Sequence, residues 1–212
     1  MRTQLTLTAA ARQFWRRRSP RLLAASLLTA TAARALVGDF RASDAVVPVV
    51  VLMVYPFFEW TVHVAVLHWR PRTIAGIRLD PELARMHRLH HADPRDPRLI
   101  FIPWRSLLVV LPVLTALSLL AFGRPGLGLT FLVVVLAIGL CYEWTHYLVH
   151  TDYTPRTTLY RAIRRNHRLH HFKNERYWFS VTTSGTSDRL LGTYPDPDRV
   201  PNSPTARALH GG

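Results

Sequence analysis

Four long apolar segments constrain the fold of this chain more than any other feature of its sequence. They occupy residues 22–37, 45–67, 107–122 and 127–149. A helix needs about 20 predominantly apolar residues to cross a bilayer. The second and fourth segments meet this length, whereas the first, interrupted by Arg34, and the third need flanking residues or snorkelling arginines to span. We therefore predict an all-α membrane protein with four transmembrane helices in two hairpins.

The basic residues are concentrated in three hydrophilic stretches. Of 27 Lys and Arg residues, six precede the first segment, eight lie in 69–105 and ten lie in 151–212, whereas only Arg41 and Arg124 occupy the other two loops. Short arginine-rich loops stay in the cytoplasm. Both termini and the 69–105 loop are therefore predicted to be cytoplasmic, in a bacterial plasma membrane. Because these residues lie between apolar spans and not along one exposed face, the net charge of +14 does not indicate nucleic-acid binding.

The pattern suggests three regions along the chain. We predict a basic cytoplasmic N-terminus over 1–21, a membrane-embedded domain over 22–193 and an irregular, frayed tail over 194–212. The first apolar segment could also be a cleaved signal peptide, since three arginines precede it, but its long lead-in favours a retained helix. Two cytoplasmic helices are predicted, over 82–90 after Pro81 and over 161–171.

Ten of the eleven histidines fall in four tight groups, and His210 in the tail is taken as solvated. The groups are His63 and His68; His87, His90 and His91; His146 and His150; and His167, His170 and His171. Residues three and four apart share a helix face, so the members of the last three groups point together. His63 and His68 are five apart, about 140° around an ideal helix, and need a bent or fraying helix end.

The positions of these groups predict a site for two metal ions. Two groups end the second and fourth apolar segments, and the other two lie in the cytoplasmic segments that follow, so all four can converge beneath the membrane surface. The single cysteine, Cys141, leaves no cysteine-based metal motif. Imidazole binds Fe, Zn, Cu and Ni, so the ligands alone do not select the metal.

The two halves of the chain repeat one another. The string FEWTVH at 58–63 resembles YEWTH at 142–146, and each is followed by HRLHH, at 87–91 and 167–171. The repeat predicts a pseudo-two-fold arrangement with one metal facing the other, although ligands could cross between the halves. Glu59 and Glu143, acids within apolar spans, are predicted to orient ligand imidazoles through their second ring nitrogen, as is Asn166. The alternative for the two acids is a salt bridge to an arginine such as Arg70 or Arg161.

The arrangement resembles the fatty acid hydroxylase/sterol desaturase superfamily over residues 59–193. Residues 166–171, leading to 177–182, Asp188 and 191–193, are similar to its final signature, and 90–94 with Asp96 and Pro97 is similar to its first cytoplasmic segment. The chain departs from the family at Ser180, where glycine is frequent, and at 185–187, where a proline and an aromatic are frequent. These positions lie beyond the histidines and bear on substrate fit more than on chemistry.

The resemblance implies a cytoplasmic helical cap that holds a non-haem di-iron centre and hydroxylates a lipid C–H bond with O2, most simply in a fatty acyl chain. Because the chain has no room for a fused haem domain, electrons are expected from a separate cytochrome b5-like or ferredoxin/reductase donor. The lipid entrance could be lined by Trp60, Trp144, Trp178 and Phe179, although the tryptophans could equally be interfacial anchors.

Other functions stay open from the sequence alone. The substrate could be a sterol or carotenoid, and the reaction could be desaturation. A metal-binding scaffold or transporter is a more remote alternative, because transporters place ionisable ligands near the bilayer midplane and these histidines lie at one edge. A zinc hydrolase would normally use fewer protein ligands and leave one position open.

Overall fold

The computed structural model describes residues 5–211, which are mostly helical, as predicted. The α-helices are α1 (Leu7–Phe14), α2 (Arg18–Val37), α3 (Val46–Val62), α4 (Glu82–Ala92), α5 (Trp104–Ala121), α6 (Pro125–Val149), α7 (Thr158–Phe172) and α8 (Thr186–Leu190). A π-helical turn, His63–Leu67, extends α3, and 3-10 turns occur at Ala42–Ala45, Pro197–Arg199 and Leu209–Gly211. The sequence did not predict the short hairpin of β1 (Arg72–Ile74) and β2 (Ile77–Leu79), which closes through left-handed Ala75 and Gly76.

Three helices are long and apolar enough to cross a membrane. They cover Ala42–Leu67, Trp104–Ala121 and Pro125–Val149, and match the predicted second, third and fourth segments. The first predicted segment forms α2, but among the described residues this 20-residue helix does not reach the same apolarity. Its arginines, serines and threonines explain the difference. The four-helix topology therefore stays a prediction.

Helix α6 lies at the centre of the bundle. On one side Leu23 and Ala30 of α2 pack against Leu132 and Leu136 of α6. Helix α5 also approaches α6 closely, because a side-chain carbon at Gly128 would lie 2.1 Å from the Ser118 carbonyl oxygen. The glycine thus permits a helix contact that any larger residue would prevent.

An ion-pair network closes the end of the bundle away from the histidines. Arg34, which interrupts the first apolar segment, is buried and donates to Asp39 at 3.1 Å and to Asp44 at 2.9 Å. Arg124 also pairs with both carboxylates. The buried charge of Arg34 is thus compensated by the turns that join the helices.

The opposite end carries the smaller helices. Helix α1 packs Phe14 against Phe101 and Tyr147, close to the end of α6. Helices α4 and α7 start and end within three residues of the predicted bounds. The tail after Gly192 contains two short 3-10 turns, and Ala206 and Leu209 within it are buried.

Candidate metal centre

All ten clustered histidines meet in two groups of five. The α3 group contains His63, His68, His87, His91 and His170, and the α6 group contains His90, His146, His150, His167 and His171. Within each group, one ring nitrogen of every histidine lies within 4.8 Å of those of the other four. Eight of the ten side chains belong to buried residues, and the other two, His68 and His150, are partly buried. Each group could hold a metal ion.

Each HRLHH string serves both groups. Helix α4 gives His87 and His91 to the α3 group but His90 to the α6 group, and the related string on α7 gives only His170 to the α3 group. On an α-helix, positions i and i+4 differ by about 40°, whereas i+3 lies about 60° to the other side. The middle histidine of each string therefore faces the opposite group, and the two halves of the chain exchange one histidine each.

The π-helical turn explains the unequal spacing of the two span-terminal pairs. The His68 amide donates to the His63 carbonyl at 3.0 Å, an i+5 bond that widens the turn. As a result the ring centroids of His63 and His68 lie 5.0 Å apart. The rings of His146 and His150, only four residues apart, lie 4.9 Å apart. The predicted distortion of the helix end is confirmed, and it gives both pairs the same separation.

Backbone carbonyls hold three imidazoles of the α3 group. The Nδ1 atom of His63 lies 2.5 Å from the Phe179 oxygen, and that of His170 lies 2.8 Å from the Tyr177 oxygen. The Nδ1 atom of His91 lies 2.8 Å from the carbonyl oxygen of Ala206. A carbonyl only accepts, so each Nδ1 carries the proton and each Nε2 keeps its lone pair. The three lone pairs are then available to a metal ion.

Three imidazoles of the α6 group lack such a contact in the part of the chain that the structure describes, whereas His146 has a backbone partner in Ile100. Within residues 5–211, the buried Nδ1 atoms of His90, His167 and His171 have no hydrogen-bond partner. Towards the centre of the group, the Nε2 atom of His150 lies 3.1 Å from that of His90 and 2.8 Å from that of His167. The imidazoles of His90, His167 and His171 therefore have no hydrogen bond on their outer side within the described residues.

The donor set fits a metal ion in each group. Metal–imidazole bonds are about 2.1 Å long, so two ligands at right angles around one ion lie about 3.0 Å apart. The Nε2 pairs His63–His87 and His68–His170 are each separated by 3.2 Å, and the α6 contacts are similar. Since His63 and His170 present lone pairs, their Nε2 atoms would hold a metal ion at this spacing.

Protonation also favours metal binding. Burial, together with the neighbouring imidazoles, lowers the pKa of His170 and His171 well below the ordinary value of 6.5. Burial lowers the pKa of His91 to about 3, although its bond to Ala206 opposes the shift. Neutral imidazole is the form that coordinates metals, so the groups are ready to bind at neutral pH.

Glu59 does not contact an imidazole, so its predicted direct role is wrong. Its Oε1 atom accepts from the Thr182 amide at 2.9 Å and hydroxyl at 2.6 Å, and from the Tyr55 hydroxyl at 3.3 Å. It forms no pair with Arg70 either. The carboxylate binds the loop that contains Thr182, which is far away in sequence, because a buried backbone N–H outside regular secondary structure needs an acceptor. Glu59 thus fastens to α3 the loop whose carbonyls hold His63 and His170.

Glu143 and Asn166 likewise act away from the imidazoles, and their predicted contacts with a ring nitrogen are wrong. Glu143 accepts from the Ser19 hydroxyl and the Ile102 amide, each at 2.7 Å, and does not pair with Arg161. Asn166 donates to the Ser184 carbonyl at 3.2 Å and accepts from the Tyr194 hydroxyl at 3.0 Å. Both side chains tie loops to helices that carry histidines.

Asp188 is a positioning residue to which sequence reasoning gave no role. Its fully buried carboxylate accepts from the Phe179 amide at 2.9 Å, the Ser180 amide at 2.8 Å and the Thr193 hydroxyl at 2.7 Å. Trp178, within the same loop, has a left-handed backbone with φ of 55°. The carboxylate therefore fixes a strained loop whose carbonyls face the α3 group. The only sequence signal was the place of Asp188 in the family-like signature.

Two of the four predicted entrance residues lie together beside the α3 group. The Phe179 ring lies 5.4 Å from that of His63 and 5.2 Å from that of His170. Trp60 meets Phe179 edge-on at 5.9 Å. Trp178 is wholly buried, and Trp144 packs 5.1 Å from Phe14 instead. A lipid entrance at these residues stays a prediction.

The C-terminal tail forms a strap, residues 203–210, over the α3 group. Besides the Ala206 carbonyl, Arg207 donates to the Ala92 carbonyl at 2.9 Å. His210 is exposed, as predicted, but its Nε2 atom lies 2.9 Å from the His68 carbonyl oxygen. The strap thus contacts the segments that bear His68 and His91.

Comparisons with known proteins agree with this architecture. A family model described as fatty acid hydroxylase matches residues 48–193. A solved structure described as full-length Scs7p, with only the hydroxylase domain visible, has a TM-score of 0.67 and 21% identity. The match covers 86% of this chain and 68% of that one. No curated protein matches the chain significantly.

Proposed function

Because the chain belongs to the fatty acid hydroxylase family, we propose that it is a di-iron enzyme that hydroxylates a C–H bond of a lipid, most simply of a fatty acyl chain, with O2. The observation that carries the proposal is the pair of five-histidine groups at the ends of apolar helices. A lone metal-binding scaffold would not need two adjoining groups linked through shared helices.

The ten histidines would hold the two ions, five at each. When bound, the iron pair supplies the activation of O2 and the oxidising power for the C–H bond. The protein orients the imidazoles and excludes water. Burial of His91, His167 and His171 keeps bulk solvent out, and the carbonyls of Tyr177, Phe179 and Ala206 orient the α3 ligands.

The place of the site favours a substrate that arrives from the bilayer. His63 and His146 lie at the ends of two candidate spans, so an acyl chain need not leave the membrane completely. The arginine distribution supports a cytoplasmic site, with α2 as the fourth span and a separate electron donor on the same side.

The proposal is tested by expressing the chain in a bacterium and comparing its lipids by mass spectrometry with those from a His170→Ala variant. Arg72→Gln, an exposed change on the hairpin, is the control. We expect two iron ions per chain and a +16 Da acyl species that depends on O2 and His170. If acyl products are absent, the same comparison is repeated on cells supplied with sterols and carotenoids to identify the substrate class. An iron-loaded protein with an electron donor that modifies none of the three classes would overturn the proposal.

A further inference from the structure

A cationic pocket of about 720 Å³ lies beside α7. Its basic residues are Arg161, Arg164, Arg165, Arg168 and Lys173. The rest of the lining comes from the loop after α6, from Leu169 and Phe172, and from Asn202 in the tail, and it includes no carboxylate. Five positive side chains thus converge on one concave surface.

These charges are poorly compensated by the protein itself. In the described chain none of the five forms an ion pair. The buried Nε atom of Arg164 has no hydrogen-bond partner there. Clustered like charges raise the free energy of the protein, and a bound anion would reduce it.

The pocket lies close to the metal centre. Helix α7 carries His167 and His171 on its buried face and the arginines on its exposed face. Arg168 directly follows His167 in the chain, and its side chain lines the pocket. Since a helix is about 10 Å wide, the pocket and the α6 group are separated by about one helix. Thr154 and Pro155 place its rim just beyond the end of α6.

We propose that this pocket binds the phosphate-bearing headgroup of a membrane lipid. Arginine forks suit phosphate oxygens, and Leu169 and Phe172 offer apolar contact to the carbons beside the headgroup. The volume lies in the range of small-molecule sites, about 300–1,000 Å³, and a concave site favours a compact anion over the broad face of an acidic protein. One step rests on the proposed function, namely that the lipid held here is the substrate whose acyl chain reaches the histidines.

Binding is measured by calorimetry on the purified, iron-loaded full chain in neutral detergent. The probes are dihexanoyl phosphatidic acid, dihexanoyl phosphatidylcholine and inorganic phosphate. We expect phosphatidic acid to bind most tightly, and more weakly as salt rises. Arg165→Gln/Arg168→Gln should weaken it roughly tenfold or more, since two charge-assisted contacts are lost. Both side chains are exposed, so the fold should be retained.

Arg72→Gln/Arg78→Gln removes the same charge from the exposed hairpin and should leave binding within about twofold. If the control weakens phosphatidic acid binding as much as the pocket variant does, the effect comes from the net charge and not from the pocket, and the proposal is overturned. Inorganic phosphate that binds as tightly as phosphatidic acid would make the pocket a free-phosphate site. If the pocket variant no longer binds an acidic ferredoxin but binds phosphatidic acid as before, the pocket is a protein docking surface and the proposal is overturned.

Turnover separates this inference from the proposed function. In a hydroxylation assay with a phosphate-bearing lipid, the pocket variant should raise KM by a similar factor and leave kcat unchanged, because no pocket residue contacts the reacting atoms. A protein that hydroxylates but does not bind phosphatidic acid would overturn the pocket alone. A protein that binds phosphatidic acid but hydroxylates no lipid would overturn the proposed function and leave the headgroup site in place.

Discussion

The α3 group and the α6 group have equal numbers of histidines but differ in what holds them. Three α3 imidazoles donate from Nδ1 to the carbonyls of Tyr177, Phe179 and Ala206. Three α6 imidazoles have buried Nδ1 atoms with no partner in residues 5–211. Outer hydrogen bonds fix the tautomer and direction of a ligand, and their loss typically weakens metal binding 10–100-fold. The α3 group is therefore the better preorganised half of the centre.

The difference has a structural origin. All three carbonyls belong to irregular segments, the loop around Trp178 and the tail strap, where backbone oxygens are not used by a helix. Asp188 and Glu59 in turn fasten the loop. The α3 group thus depends on segments remote in sequence from its histidines, and each of those segments can be altered without touching a ligand.

The largest effect is expected from removing a ligand that crosses between the halves. His170→Ala and His90→Ala should each abolish hydroxylation while the protein still inserts and folds, because each removes one of the five donors of a group. Iron content should fall from two towards one per chain, measured by plasma emission spectrometry. Full activity in either variant would disprove the ligand assignment, and Arg72→Gln provides the control for expression.

Acidification should act on both groups and so should not distinguish them. The pKa of His91 is about 3, and those of His150, His170 and His171 also lie below 6.5. Between the folded and unfolded pKa values the unfolded chain binds more protons, so stability is complete above about pH 6.5 and falls as pH decreases towards 3. The loss is about 1.4 kcal/mol per pH unit for each such group.

Thermal unfolding of the metal-free protein in detergent at pH 7.5 and 5.5 measures this loss. We expect a lower Tm at pH 5.5 and a smaller change between pH 7.5 and 8.5. A Tm that is the same at pH 5.5 and 7.5 would show that the imidazoles are not kept neutral by burial.

Removal of the strap should affect the two histidine groups differently. A chain ending at Asn202 lacks the Ala206 carbonyl, so the His91 ring is free to turn and the α3 ion should be released roughly 10–100-fold more readily. The α6 ion should be retained. Chelator competition followed by absorbance should therefore change from two release phases, with the α3 ion released last, towards a single phase. If both ions are released faster by the same factor, the strap only stabilises the whole cap. Arg207→Ala removes one bond that anchors the strap, to the Ala92 carbonyl, and should give a fraction of the effect.

Local geometry made much of this molecule predictable. The four histidine groups, the bounds of α4 and α7 and the distorted end of α3 follow from residue spacing along one helix. Convergence of the groups follows from their places at the ends of spans. Assignment of His90 and His170 to opposite groups does not, because the sequence left open whether ligands cross.

The backbone carbonyls that accept hydrogen bonds from the imidazole Nδ1 atoms could not be predicted from the sequence. Every residue has a carbonyl, so Tyr177, Phe179 and Ala206 carry no side-chain signal for this role. Glu59 and Glu143 carried a misleading signal, since a carboxylate near a ligand histidine suggests direct support. Their oxygens instead accept backbone amides of Thr182 and Ile102, which only the tertiary fold brings near.

The smallest predicted effect comes from Asp188→Asn, which keeps the shape of the side chain but replaces one acceptor oxygen with a donor. One of the Phe179 and Ser180 amides then loses its partner, at a cost of about 1–3 kcal/mol. The loop should loosen, the α3 ion should bind roughly tenfold more weakly, and the α6 ion should be unaffected. Asp198→Asn, an exposed change outside the loop, is the matched control. If Asp188→Asn lowers Tm but leaves both iron affinities unchanged, the loop supports the fold and not the ligands, and the advantage assigned to the α3 group must come from the strap alone.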